Sequence, residues 1–179
     1  CVLLVSLFGI ELSTAAASQA DEKSALQQIR AAHLAATGKC DEAVSIAEAI
    51  SARDAATERL IGKCAIEAQQ YSKALISLAR ASELDPDLAG VNLYRAIALY
   101  HLEDYPGARR LLDDARVVGE EAALLDFYSG LLLLRDDRPR ESALAFERAA
   151  IRGPELVEPA ASYYAALAWQ SLNESEPLK

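Results

Sequence analysis

Gly62, Ala96 and Gly130 lie 34 residues apart, and the same interval relates Ala74, Ala108 and Ser142, then Leu78, Leu112 and Phe146, then Ala81, Ala115 and Ala149. A period of that length with small residues at fixed phases describes a stack of helix pairs, because one pair alone cannot bury its apolar face and its neighbours must do so. Within a unit the apolar residues keep helical spacing: Leu93, Ala96, Ile97 and Tyr100 recur at i, i+3, i+4 and i+7. No strand-like alternation and no Asn-Gly hairpin signal interrupts the pattern. The chain is therefore expected to be all-α, with a core extended from unit to unit rather than gathered at one centre. Such a chain offers a surface for holding something rather than a site for doing chemistry.

The unit at 55–88 shows how the spacing works. Gly62 and Ala74 lack bulk where two helices must cross, Leu78 and Ala81 face the next pair, and Pro86 in Asp85-Pro86 ends the second helix because it cannot continue one. Ile61-Gly62, Ala74 with Leu78, and Asp85-Pro86 together resemble the tetratricopeptide repeat, matching its Leu-Gly pair, its Ala-x-x-x-Phe and its closing Asp-Pro. The unit at 89–122 repeats this with Glu120 in place of the closing proline; the unit at 123–156 has Pro154 there and Pro139 where Tyr71 and Tyr105 stand earlier. A first unit at 24–54 places Ala31, Leu34, Gly38, Ala43, Ala47 and Ile50 in phase, three residues out of register, and 158–172 resembles the first helix of a fifth unit. The resemblance implies a right-handed α-solenoid of helix-turn-helix repeats occupying 21–179. An ordinary bundle of Ala-rich helices is the alternative, and four features recurring at one spacing argue against it.

Residues 1–20 open with an apolar run of about nine residues followed by small polar ones, the form of a secretory signal whose charged start precedes Cys1. Cleavage after Ala17 or Ala20 suits the small-x-small rule; Glu11 and the shortness of the run argue against a spanning helix, and an anchoring helix is the other reading. Export would leave Cys40 and Cys64, an even count in an oxidising compartment. In a stack of antiparallel pairs, the start of one second helix lies beside the end of the next first helix, and these cysteines occupy those places. A disulfide between them is expected to stabilise the N-terminal end by about 3 kcal/mol through loop-closure entropy. Two buried thiols acting as small hydrophobes are the alternative. No metal is expected, since His33 and His101 are not at ligand spacing to the cysteines.

The formal charge of −9 argues against a nucleic-acid partner, as does the lack of a basic stripe interleaved with aromatics. No Gly-rich phosphate loop, His-Glu-x-x-His or Gly-x-Ser-x-Gly is present, so neither an enzyme nor a bound cofactor is expected. In proteins of the resembled family the first helices line a concave face. Helical phase then assigns Arg59, Lys63 and Ile66 in the second unit, Leu93, Ile97 and Tyr100 with His101 in the third, and Phe127, Leu131 and Leu134 with Arg135 in the fourth. That describes a groove with a basic N-terminal wall and an apolar floor, suited to an amphipathic helix or an extended peptide with an acidic end. Alternatively, a further helix from a missing part of the chain fills the groove, or those side chains pack between pairs. The expected function is a protein-interaction scaffold in a bacterial envelope, in the periplasm, touching membrane only indirectly or through a missing domain. Two other roles stay open: the arm of an outer-membrane β-barrel lying beyond Lys179, and the regulatory arm of an enzyme.

Overall fold

Each first helix ends by turning its backbone left-handed, at Gly38 (φ 76°), Gln69 (59°), Glu103 (64°) and Asp137 (57°). The amide after that residue donates back across the turn: Lys39 to the Leu34 carbonyl (2.9 Å), Gln70 to Ala65 (2.7 Å), Asp104 to Leu99 (2.9 Å) and Arg138 to Leu133 (3.0 Å). This closure satisfies carbonyls that a helix end leaves orphaned and reverses the chain for the second helix of the pair. The last three turns lie 34 residues apart, whereas Gly38 precedes Gln69 by 31, so the first pair sits three residues out of phase.

The computed structural model describes residue 19 and residues 21–115, 117, 121–153 and 157–175. The expected secretory segment 1–20, apart from residue 19, and the unit-closing positions Glu120 and Pro154 lie outside them. Among the described residues all regular structure is helical: α1 (21–36), α2 (Cys40–Glu48), α3 (Ala55–Glu67), α4 (Tyr71–Leu84), α5 (Val91–His101), α6 (Tyr105–Asp113), α7 (Glu121–Arg135), α8 (Pro139–Arg152) and α9 (Glu158–Ser175). They stack as antiparallel pairs into a right-handed α-solenoid of the tetratricopeptide-like kind. Local chemistry starts several of them. Asp54 caps α3 by accepting from the Thr57 amide (2.8 Å), Asp104 caps α6 by accepting from Gly107 (3.0 Å), and Pro139 opens α8, where its missing N–H costs nothing. Among the described residues no helix is long and apolar enough to cross a membrane.

The 34-residue phases become helix crossings. A Cβ at Gly62 would lie 2.4 Å from Leu78 Cγ, and one at Gly130 would lie 2.8 Å from Phe146 Cε1, so both glycines are needed for the close approach of their pairs. Ala74, Leu78, Ala81, Ala108, Ser142, Phe146 and Ala149 are all fully buried. The core is a row of three clusters: Ala31, Ala47 and Ile61 at one end; a central set including Leu78, Leu93, Ile97 and Leu132; and Ala123, Phe146, Val157 and Ala161 at the other.

A second register, in charge, runs along the same helices. Buried Glu58 on α3 accepts from Arg53 Nε (2.8 Å) and faces Arg80 on α4 at 3.9 Å. Buried Asp126 on α7 accepts from Arg148 Nε (3.1 Å) and Arg152 Nη1 (2.6 Å) on α8. Glu58 and Asp126 are two periods apart, as are Arg80 and Arg148. The pair between them carries Asn92 and Asp114 at those phases instead.

Candidate binding groove

The first helices α3, α5 and α7 meet at one carboxylate. Arg59 on α3 reaches past α5 to Glu121 at the start of α7: its Nη1 donates to Glu121 Oε1 at 3.1 Å and to the Ala89 carbonyl at 3.1 Å. Tyr94 on α5 donates to the same carboxylate oxygen at 3.0 Å. Burial first, then the Glu121 carboxylate, pushes the Tyr94 hydroxyl well above the usual phenol range, so it stays protonated and donates. The second Glu121 oxygen packs against Gly90, whose positive φ of 83° starts α5 and where a Cβ would lie 2.6 Å away.

Two clefts open beside this convergence, toward the N-terminal end. One cleft of about 230 Å³ runs between α1 and α3, lined by Gln28, Ile29, Ala31 and Ala32 on one side and Asp54, Ala56, Thr57 and Leu60 on the other. A second, of about 240 Å³, shares Ala32, Ala56 and Leu60 with it and continues past Ala35 and Ala36 to Arg59, Lys63, Tyr94 and Glu121. Together they form one groove with an alanine floor. Ile29 stands 68 % exposed at its mouth. Lys63 is half-buried in its wall and has no carboxylate partner among the described residues, whereas Arg59 is already paired.

Of the residues assigned by helical phase, Arg59 and Lys63 line this groove. Leu93 and Ile97 do not: at 0 % and 3 % exposure they belong to the central core and present no surface to a ligand. They share that cluster with Ala65 of α3, Ala74 and Leu78 of α4, Ala108 and Leu112 of α6, and Leu132 of α7. Ile66 and Tyr100 are half-buried against the same cluster, Phe127 and Leu131 against the C-terminal one, and Leu134 is half-buried on α7. These side chains pack between pairs, one of the alternatives that the sequence left open.

His101 and Arg135 take a different place, along the edge where first helices end and second helices begin. His101 stacks on Tyr71 (centroids 4.5 Å apart, planes 7° apart), and one period later the Arg135 guanidinium lies 3.7 Å over the Tyr105 ring. His101 Nε2 also lies 3.0 Å from the Tyr128 hydroxyl. Burial holds the His101 pKa below the ordinary imidazole value, while burial and then Tyr71 push Tyr128 up to about 12. Which of the two donates depends on the tautomer of the His101 ring. At the preceding seam the Sγ atoms of Cys40 and Cys64 lie at bonding distance, 2.15 Å, with Cα atoms 5.2 Å apart. One edge therefore carries a disulfide, a histidine stack and a cation–π contact at successive seams. Among the described residues no group of three His, Cys, Asp or Glu side chains is placed to hold a metal.

No family model matches this chain, and no curated protein does. Solved structures do. The fold is similar to that of MamA. A MamA structure from strain AMB-1 superposes with a TM-score of 0.61 at 17% identity, covering 86% of this chain and 84% of that one. A MamA point mutant gives 0.64 at 18%, covering 86% and 90%. MamA of Desulfovibrio magneticus RS-1, truncated at its start, gives 0.57 at 15%, covering 87% and 98%. At that identity the likeness to MamA shows a tetratricopeptide-like helical solenoid, and the groove chemistry is this chain's own.

Helical phase within the second to fourth units missed Ile29, Ala32, Ala36, Leu60 and Glu121, which line the open groove. The first unit's own phase contained a signal for Ala32 and Ala36, one helical turn apart on α1. Nothing marked Glu121, because its partner Arg59 is 62 residues away, which is not a multiple of the period.

Proposed function

We propose that this chain is an exported protein-interaction scaffold that holds a peptide or amphipathic helix in the groove between α1 and α3, with no catalysis of its own. The observation that carries the reading is Lys63, a half-buried cation without a carboxylate partner among the described residues, in the wall of an apolar cleft on a chain of net charge −9. An alanine floor lets a partner backbone approach closely, Ile29 and Leu60 give apolar contact, and Lys63 selects an acidic group at one end. The envelope setting is supported by the Cys40 and Cys64 sulfurs at bonding distance, since such bonds persist in oxidising compartments, and by the apolar run near the start of the sequence.

Selection of peptides from a random displayed library on the full chain tests the groove. Selected peptides should join apolar residues to Asp or Glu, and Lys63→Glu should weaken them about tenfold or more with the helical signal and Tm unchanged. Basic peptides, or affinities indifferent to both Lys63→Glu and Ile29→Asp, would overturn the reading.

A further inference from the structure

We propose that the Cys40–Cys64 bond is a thiol–disulfide exchange site whose reduction by a dithiol protein releases the first helix pair, and with it one wall of the groove. The consequence for binding rests on the function proposed above; the exchange and the release do not.

Access comes first. Cys64 is 2 % exposed, whereas Cys40 at the start of α2 is partly exposed, and a cleft of about 130 Å³ is lined by both cysteines together with Asp41, Val44, Gln70 and Lys73. An incoming thiolate attacks Cys40 Sγ, the sulfur–sulfur bond breaks, and Cys64 leaves as a thiolate that takes a proton from water. The reductant's second thiolate then attacks the mixed disulfide, forming the reductant's own disulfide and freeing Cys40. Two electrons pass from the dithiol to the chain, and the atoms balance.

Release follows from how little else holds the first pair. Its shared core with α3 is Ala31, Ala47 and Ile61 with Ile46 and Leu60 packed on it, apart from the central cluster. Among the described residues α2 is tied to α4 by the Lys73 to Glu48 ion pair at 3.1 Å, with both side chains about half exposed and so weak in water, and the turn after α2 is held to α3 by Arg53, which donates to Glu58 at 2.8 Å. On the concave side the same seam is hollow, because the groove itself lies there. The later pairs share larger side chains, such as Leu78, Leu93, Leu132 and Phe146. Cutting the covalent tie therefore acts on one pair and spares the rest.

Hydrogen exchange on the full chain, oxidised and then reduced by dithiothreitol, reads the release. Amides of α1 and α2 should exchange about tenfold or more faster after reduction, those of α5 to α8 should not change, and reoxidation should restore protection. Unchanged α1 and α2 after verified reduction, or loss of protection along the whole chain, would overturn the release. The Cys40→Ser/Cys64→Ser variant should show the reduced pattern with or without dithiothreitol. Exchange itself is read by incubating the oxidised chain with a thioredoxin whose resolving cysteine is replaced by serine. A trapped mixed disulfide mapping to Cys40 is expected; trapping at Cys64, no trapping, or two free thiols in unreduced protein would overturn it. If groove peptides bind the oxidised chain and are lost on reduction, both proposals stand. If none binds while α1 and α2 still loosen, the function reading fails alone.

Discussion

Ser142 Oγ donates a 2.9 Å hydrogen bond to the Gly130 carbonyl, in the crossing where the Phe146 ring closes on the Gly130 Cα. The other pairs place Ala74 and Ala108 at the Ser142 phase, so this crossing alone of the three adds a buried polar contact to shape. Ser142→Ala should cost about 1 kcal/mol, since the carbonyl loses its extra donor. Gly130→Ala should cost more, about 1–3 kcal/mol, because Phe146 is fully buried and cannot yield to a Cβ. Urea unfolding of the two variants orders them, and the reverse order would show that polar contact rather than close approach governs the crossing.

The charge register offers a graft. The Asp126 and Arg148 pair of α7 and α8 has Asn92 and Asp114 as its counterparts one period earlier. Installing Asn92→Asp with Asp114→Arg should couple α5 to α6 by about 0.5–1 kcal/mol in a double-mutant cycle, since Arg148 itself is half exposed and screened. A coupling of zero would mean that the pair geometry is not carried by the repeat.

Glu103 turns left-handed at φ 64° between α5 and α6, a conformation that an L side chain adopts at a cost. Glu103→Gly should raise stability by about 0.5–1 kcal/mol, measured by the urea midpoint at constant slope, the reverse of the usual effect of introducing glycine.

His101 sets a pH dependence. Its folded pKa is depressed by burial, so the unfolded chain binds the proton more readily. Stability is therefore full above the unfolded value of about 6.5 and falls as pH drops from there through the lower folded value. His101→Phe keeps a ring on Tyr71 and removes the titration. The difference in urea midpoint between pH 8 and pH 5 should shrink in that variant, and an equal difference in both proteins would place the dependence elsewhere.

The helical stack was legible because Gly62, Leu78, Gly130 and Phe146 repeat the same crossing at one spacing, so each confirms the phase of the others. The placement of Cys40 beside Cys64 was legible for a related reason, since antiparallel pairing fixes which helix ends meet. The groove was less so. Ile97 and Lys63 occupy the same phase one period apart and so read as one surface, yet the fold buries the first and leaves the second half-buried in the groove wall. What decides between them is the tightness of the coil, and that depends on contacts such as Arg59 with Glu121 whose separation carries no period. The acid and arginine register of Glu58, Arg80, Asp126 and Arg148 was visible in the same spacing and is recognisable only when charged positions are compared two periods apart.

The bridge from Arg59 to Glu121 has one more effect. In a simple repeat array each unit feels only its immediate neighbours, and total stability is a sum of unit energies and adjacent interfaces. A partly buried contact that skips a helix pair adds a next-nearest-neighbour term, with Tyr94 on the skipped pair sharing the same carboxylate. The three pairs from α3 to α8 thereby share one contact that lies outside a sum over adjacent interfaces.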